Sequence, residues 1–289
     1  MSIPSAMGRR RFLGLAGGAA GVLVLGACGA SSSTPDPEFV ASRLFDGRAL
    51  VPDGTPQRLV WAVQKNNSYV TDEAFEVVRI EAIQNGQVLF DEEVTVRREG
   101  LIVPYYPVVM RFPSSDPVDF TFSASGGSWE SVALASGTGE EALVGPGDRF
   151  PSVGTPTFDN ALGVDPMCTR SPEPCPFHEV SLDVAMATGR RIVLLLSTPA
   201  FCGNQIACGP ALEILIDTVS ALDPDVAVIH AEIYTSPTGR ELGPTSPALD
   251  ASGAWFEPLL YTIDANARVK HRLDFMFDRT ELAEVLDSI

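Results

Sequence analysis

Positive charge is scarce in this chain. Only 20 lysines and arginines stand against 37 acidic residues, a formal net charge of -17 at pH 7. Three of those arginines fall in residues 1 to 27, which hold no acid, so the remainder carries 17 basic against 37 acidic groups. Such a surface repels phosphate backbones, which excludes nucleic acid as an expected partner. Histidine is scarcer still, with three, and cysteine numbers five. No compact zinc-finger spacing occurs among them, and cofactors are not expected. The one glycine-rich run, "GLAGGAAG" at residues 14 to 21, lies in an amino-terminal targeting segment rather than between a strand and a helix, so it is no phosphate loop. The apolar stretch that contains it is also too short for a transmembrane helix, which needs about 20 residues. What remains is 45% hydrophobic, 20% charged and rich in proline, with 23. That is the composition of a globular, loop-rich protein able to bury a core.

The amino terminus reads as a cleavable export signal. Arg9, Arg10, Arg11, Phe12 and Leu13 precede the apolar stretch, and small residues close it. The Arg-Arg-x-Phe-Leu order resembles twin-arginine signals, although Gly8 and Gly14 stand where those signals carry a hydroxyl residue and a lysine. Leu25, Gly26, Ala27 and Cys28 resemble a bacterial lipobox. The expectation is a signal peptide over 1-27, a lipid anchor on Cys28, a flexible tether over 28-38, and residence on the extracytoplasmic face of a bacterial cell membrane. The lipid supplies the membrane contact.

Setting Cys28 aside leaves Cys168, Cys175, Cys202 and Cys208 in a chain sent where disulfides persist. Four cysteines allow three connectivities, and nearest-neighbour pairing is the most economical. Cys168 and Cys175 flank "TRSPEP", whose prolines stiffen the loop, so a structural disulfide is expected there. Closing so small a ring stabilises by about 2 kcal/mol.

Two rhythms divide the rest. Residues 39-145 alternate in short bursts, with strands expected at 58-64, 75-83, 87-96, 101-112, 118-124 and 129-135, and a hairpin turn at Asn85-Gly86. Six strands without a helical window predict an all-β immunoglobulin-like sandwich. Residues 146-289 instead interleave helix and strand. A short helix ends at Gly189, Ile192 to Leu196 is a fully apolar strand, and Pro210 to Leu222 has helical spacing. Strands follow at Val226 to Tyr234 and in a hairpin about Asp264 to Ala267. A last helix covers Thr280 to Asp287, with Asp278 and Glu281 placed for a reciprocal capping box.

In the second half, "TPAFC" and then "CGP" follow the apolar strand, and "CTRSPEPCPFHEVSL" precedes it. These segments resemble bacterial extracytoplasmic thioredoxin-like lipoproteins, over about half the chain. The resemblance implies an α/β thioredoxin-like fold, a thiol-disulfide exchange activity on protein thiols or disulfides, Cys202 as nucleophile and Cys208 as resolving thiol. It also implies a substrate-positioning cis-proline at Pro258. The pattern departs from the family in its five-residue cysteine spacing, in Phe201 before the first cysteine, and in Glu257 before the proline. Two other classes stay open. One is a non-catalytic binding module with both cysteine pairs as staples. The other is copper binding or delivery through Cys202, Cys208, Cys175 and one of His178, His230 or His271, since soft thiolates suit Cu(I). Each histidine otherwise reads as a packing or surface residue, and no metal ligand is assigned.

Overall fold

The computed structural model describes residues 39-72, 74-125, 127-134, 143-201, 206-236 and 242-289. The expected signal, lipobox and tether, Cys28 and Cys202 therefore lie outside the described residues. Residues 37-289 cluster as one compact unit. Among the described residues no helix is long and apolar enough to cross a membrane.

The chain begins β-rich. Strands β1 (Phe39–Arg43), β2 (Pro56–Lys65), β3 (Ser68–Tyr69) and β6 (Tyr106–Arg111) form one antiparallel sheet centred on β2. Strands β4 (Val77–Gln84), β5 (Gln87–Thr95), β7 (Val118–Ala124) and β8 (Gly127–Leu134) form a second, in the order β5-β4-β7-β8. Alternation explains the layering: Val78, Ile80 and Ala82 of β4 and Val118, Phe120 and Phe122 of β7 point one way, toward Trp61, Val63, Tyr106 and Val108 of the first sheet. Asn85 and Gly86 turn β4 into β5 with φ of 51° and 76°, the positive pair that a two-residue hairpin requires. The strand expected over 101-112 is shorter than its apolar run. Pro104 has no N–H to give a ladder, so only the isolated Arg97–Tyr105 bridge precedes β6. Strand β1 lay in the alternating region without being singled out.

The second part is α/β. Helix α1 (Leu182–Ala187) leads into β9 (Ile192–Leu196), then come α2 (Cys208–Thr218), β10 (Ala227–Ala231), α3 (Pro247–Ser252), β11 (Leu259–Ile263), β12 (Val269–Asp274) and α4 (Arg279–Leu286). The sheet runs β10-β9-β11-β12, with β10 parallel and β11 antiparallel to β9. All five β9 residues are fully buried because both faces are covered. One face meets Phe150, Leu182, Ala248, Leu249 and Tyr261; the other meets Leu212 and Leu215 of α2 and Phe277, Leu282 and Leu286 near or on α4. Helix α3 was not anticipated. Its signals are local: Ser246 caps Leu249 N–H, Pro247 opens the first turn, and Gly253 closes it at φ 71°.

A buried ionic cluster joins the two parts. Arg58 of β2 reaches Glu281 of α4 at 2.7 Å through both Nε and Nη2, and its Nη1 donates to Asp274 O at 3.0 Å. Tyr105 donates to the same carboxylate and accepts the Asp278 N–H at 3.0 Å. Burial opposes the Arg58 charge, but Glu281 outweighs it and lifts the guanidinium pKa above its usual value; burial likewise opposes the Glu281 charge, and Arg58 overcomes that and lowers it. The expected capping box is thus half made. Asp278 accepts the Glu281 N–H at 2.8 Å, while the Glu281 carboxylate is spent on Arg58. Gly100 sits beside this seam at φ 89°, where a Cβ would lie 2.8 Å from Ile214 Cγ1, so the close approach and the backbone both require glycine.

Candidate functional site

The chemistry gathers at the carboxyl end of β9. The strand delivers Ser197, Thr198, Pro199, Ala200 and Phe201, and α2 begins at Cys208, which is fully buried and disulfide-bonded. The start of the helix places the positive end of its dipole beside the sulfur, which favours a thiolate when the bond opens. Cys168 and Cys175 are free, so neither of them is the partner of Cys208. Opposite, β11 pairs with β9 from Leu259–Leu196 onward, so Pro258 flanks Ser197. The Glu257–Pro258 bond is cis. The Glu257 carboxylate accepts the Thr198 N–H at 2.5 Å, which ties the approach to Pro258 to the start of the corner.

Burial is the largest influence on Glu257 and pushes its pKa up to about 7. The folded value lies above the unfolded one of about 4.3, so the protonated form is favoured by folding. The stability this carboxyl contributes is complete below about pH 4 and is lost as pH rises through about 7. Replacing Glu257→Gln should remove that slope and stabilise the protein at pH 8 by on the order of 2 kcal/mol, after discounting for its partly exposed edge. Denaturant midpoints at pH 5 and pH 8 check this; equal slopes in both proteins would contradict it.

Behind the corner lies a second group of residues. The loop carrying Cys168, Cys175 and His178 packs against β10 and meets His230. All four are buried, and one ligand atom from each lies within 4.8 Å of every other. Cys168 Sγ is 3.7 Å from His230 Nδ1, Cys175 Sγ is 3.5 Å from the same atom, and Cys175 Sγ is 3.4 Å from His178 Nε2. The Cys175 N–H donates to Cys168 Sγ at 3.4 Å. The hydrogen bond between the two cysteine side chains is the main cause that draws the Cys168 thiol well below its usual range, and the same bond together with burial drives Cys175 well above it.

This corrects one sequence expectation directly: Cys168 and Cys175 are free thiols, not a disulfide. Local spacing suggested a pair, but two imidazoles converge on the same sulfurs. The copper alternative named a different set. Cys175, His178 and His230 do come together, but with Cys168; Cys208 is committed to a disulfide, and Cys202 lies outside the described residues. His271, on β12, instead meets the Ser288 hydroxyl at 2.8 Å. The Cys175-x2-His178 spacing was the available signal for part of the cluster.

The two groups touch. His230 Nε2 lies 3.1 Å from Ser197 Oγ and 3.0 Å from Ser197 O, and Thr169 accepts the Ala200 N–H at 3.1 Å. Thr169 N–H also donates to Glu232, a fully buried carboxyl whose pKa is raised by burial. The loop after Cys168 is thus the floor on which the Ser197 to Phe201 segment rests.

No family model matches the chain, and no curated protein is similar to it.

Proposed function

We propose that this is a membrane-anchored, extracytoplasmic thioredoxin-like protein that exchanges disulfides with partner proteins through Cys202 and Cys208. In this reading the α/β part has a thioredoxin-like fold, the β-rich part is an immunoglobulin-like sandwich, and lipid on Cys28 holds the chain at the membrane. The observation that carries it is the disulfide-bonded Cys208 at the first residue of α2, directly after the buried central strand and with cis-Pro258 flanking that strand's end. A helix start lowers thiol pKa, which suits a cysteine there to exchange.

The exchange balances simply. With the pair reduced, the Cys202 thiolate attacks a partner disulfide, forms a mixed disulfide and expels one partner thiolate. The Cys208 thiolate then attacks Cys202, closes the Cys202–Cys208 bond and releases the second partner thiolate; two electrons have passed to the partner. The reverse sequence oxidises a partner dithiol. Replacing Cys208→Ser removes the resolving step, so mixed disulfides should accumulate on Cys202 in cells and disappear on reduction. Their detection on non-reducing gels, with loss in a Cys202→Ser, Cys208→Ser double variant, checks the reading. A Cys208→Ser protein that carries no adduct would support the non-catalytic binding module instead.

A further inference from the structure

We propose that Cys168, Cys175, His178 and His230 form a closed structural zinc site beneath the Ser197 to Phe201 corner. The proposal does not rest on the exchange reading, because none of its ligands belongs to the Cys202–Cys208 pair.

Geometry is the first argument. A tetrahedral zinc ion with bonds of about 2.3 Å to sulfur and about 2.05 Å to nitrogen holds its ligand atoms about 3.3 to 3.8 Å apart. Three of the four sulfur-nitrogen separations are 3.4, 3.5 and 3.7 Å. These three match edges of such a tetrahedron, and all four ligand atoms lie within 4.8 Å of one another.

Orientation is the second. A metal-binding imidazole gives one nitrogen to the ion and donates the other N–H to an oxygen, which fixes the tautomer. His178 Nδ1 lies 3.3 Å from Pro156 O, which can only accept, so Nδ1 carries the proton and Nε2 turns a lone pair toward Cys175. His230 repeats this with the nitrogens exchanged: Nε2 faces Ser197 O at 3.0 Å, leaving the Nδ1 lone pair toward both sulfurs. Two histidines from separate segments share one arrangement, each anchored outward to a backbone carbonyl.

Charge selects the metal. Two thiolates and two neutral imidazoles carry -2, which a divalent ion cancels within a fully buried site; Cu(I) would leave an uncompensated negative charge there. Among divalent ions, two sulfurs and two nitrogens in a tetrahedron suit zinc, which also outcompetes Fe²⁺ and Mn²⁺ for such donors. Four protein ligands leave no open position, so the ion is structural rather than catalytic. Binding deprotonates the thiols and releases their protons to solvent. It also pins the Cys168 to His178 loop to β10 and, through Thr169, supports Ala200.

Metal content of the full mature protein, purified without chelator, should be close to one zinc per chain by elemental analysis. Cys175→Ser should lower it at least tenfold, while His271→Ala should retain it. Because the cysteine variant could fail for lack of folding, apoprotein made by chelation is also titrated with Co²⁺. Saturation at one equivalent with thiolate charge-transfer and intense tetrahedral ligand-field bands supports the site. A Cys168–Cys175 disulfide in metal-free native protein, absent cobalt bands, or retention of Cu(I) in preference to zinc under equal competition would overturn it.

Discussion

Replacing Glu281→Ala should destabilise the protein by about 3 to 5 kcal/mol, the range for stripping one partner from a buried ion pair. The cost arises less from the lost attraction than from what stays behind. Arg58 remains charged in a site where its side chain is 10% exposed, held only by the Asp274 and Met276 carbonyls. Tyr105 loses its acceptor at the same time. For a domain of this size that corresponds to a fall in melting temperature of about 10 °C. The pH dependence gives an independent check. Glu281 has its folded pKa lowered, so its contribution is present above the unfolded carboxyl value of about 4.3 and is lost as pH falls through the folded value. The gap between wild type and variant should therefore be widest at neutral pH and narrow on acidification. Replacing Arg58→Met together with Glu281→Leu should recover much of the loss, since no charge is then left buried alone. Thermal melts of wild type and the two variants at pH 7 and pH 4 decide the matter; a cost below about 1 kcal/mol for Glu281→Ala would contradict the role given to the cluster.

Trp61→Ala should be as damaging, again about 3 to 5 kcal/mol, but for an apolar reason. Trp61 is 1% exposed at the centre of the core between the first two sheets. Its ring meets Phe45 at 5.2 Å and, across the layer, Phe120 at 4.9 Å and Phe122 at 5.0 Å. Phe120 and Phe122 are held by β7 and Phe45 is itself buried, so the space cannot close and the cost of a cavity adds to the lost burial. Unlike Glu281→Ala, this variant should show no change in its deficit between pH 4 and pH 7. Trp61→Phe, which keeps most of the volume, should lose much less; a deficit equal to that of alanine would mean that packing is not what Trp61 supplies.

The zinc and exchange proposals meet in one place. The Cys168 loop supports the segment between β9 and α2, so loss of the ion should be felt at the corner even though no ligand is shared.

How much of this was legible in the sequence follows from the range of the interactions involved. Alternation in "FEVVRIEAI" and "VDFTFSA" and the Asn85-Gly86 turn are short-range signals, and β4, β5 and β7 formed as they indicate. The unbroken apolar run Ile192 to Leu196 marked a strand buried on both faces, which β9 is. Helix α3 was equally legible in "SPALDASG" through its cap, its proline and its closing glycine, and was passed over because its six residues carry little periodicity. Glu281 was read as a capping residue because the partner that claims it is Arg58, more than two hundred positions away. The cysteine-histidine cluster failed for the same reason. Cys168, Cys175 and His178 are neighbours in the chain, but His230 arrives only because β10 lies parallel to β9 in register, His230 against Leu195. An even cysteine count behind an expected export signal makes a disulfide the simpler expectation from sequence.

The central claim is that Cys208 belongs to an exchange-active disulfide, and its reduction potential tests this most directly. The mature protein, zinc-loaded and with Cys168 and Cys175 shown to be unoxidised, is equilibrated with graded glutathione or dithiothreitol buffers and its thiols are trapped by alkylation. The account predicts a Cys208 midpoint between about -270 and -120 mV, the span of catalytic pairs. A bond that stays closed below about -300 mV would make it a structural staple and contradict the account.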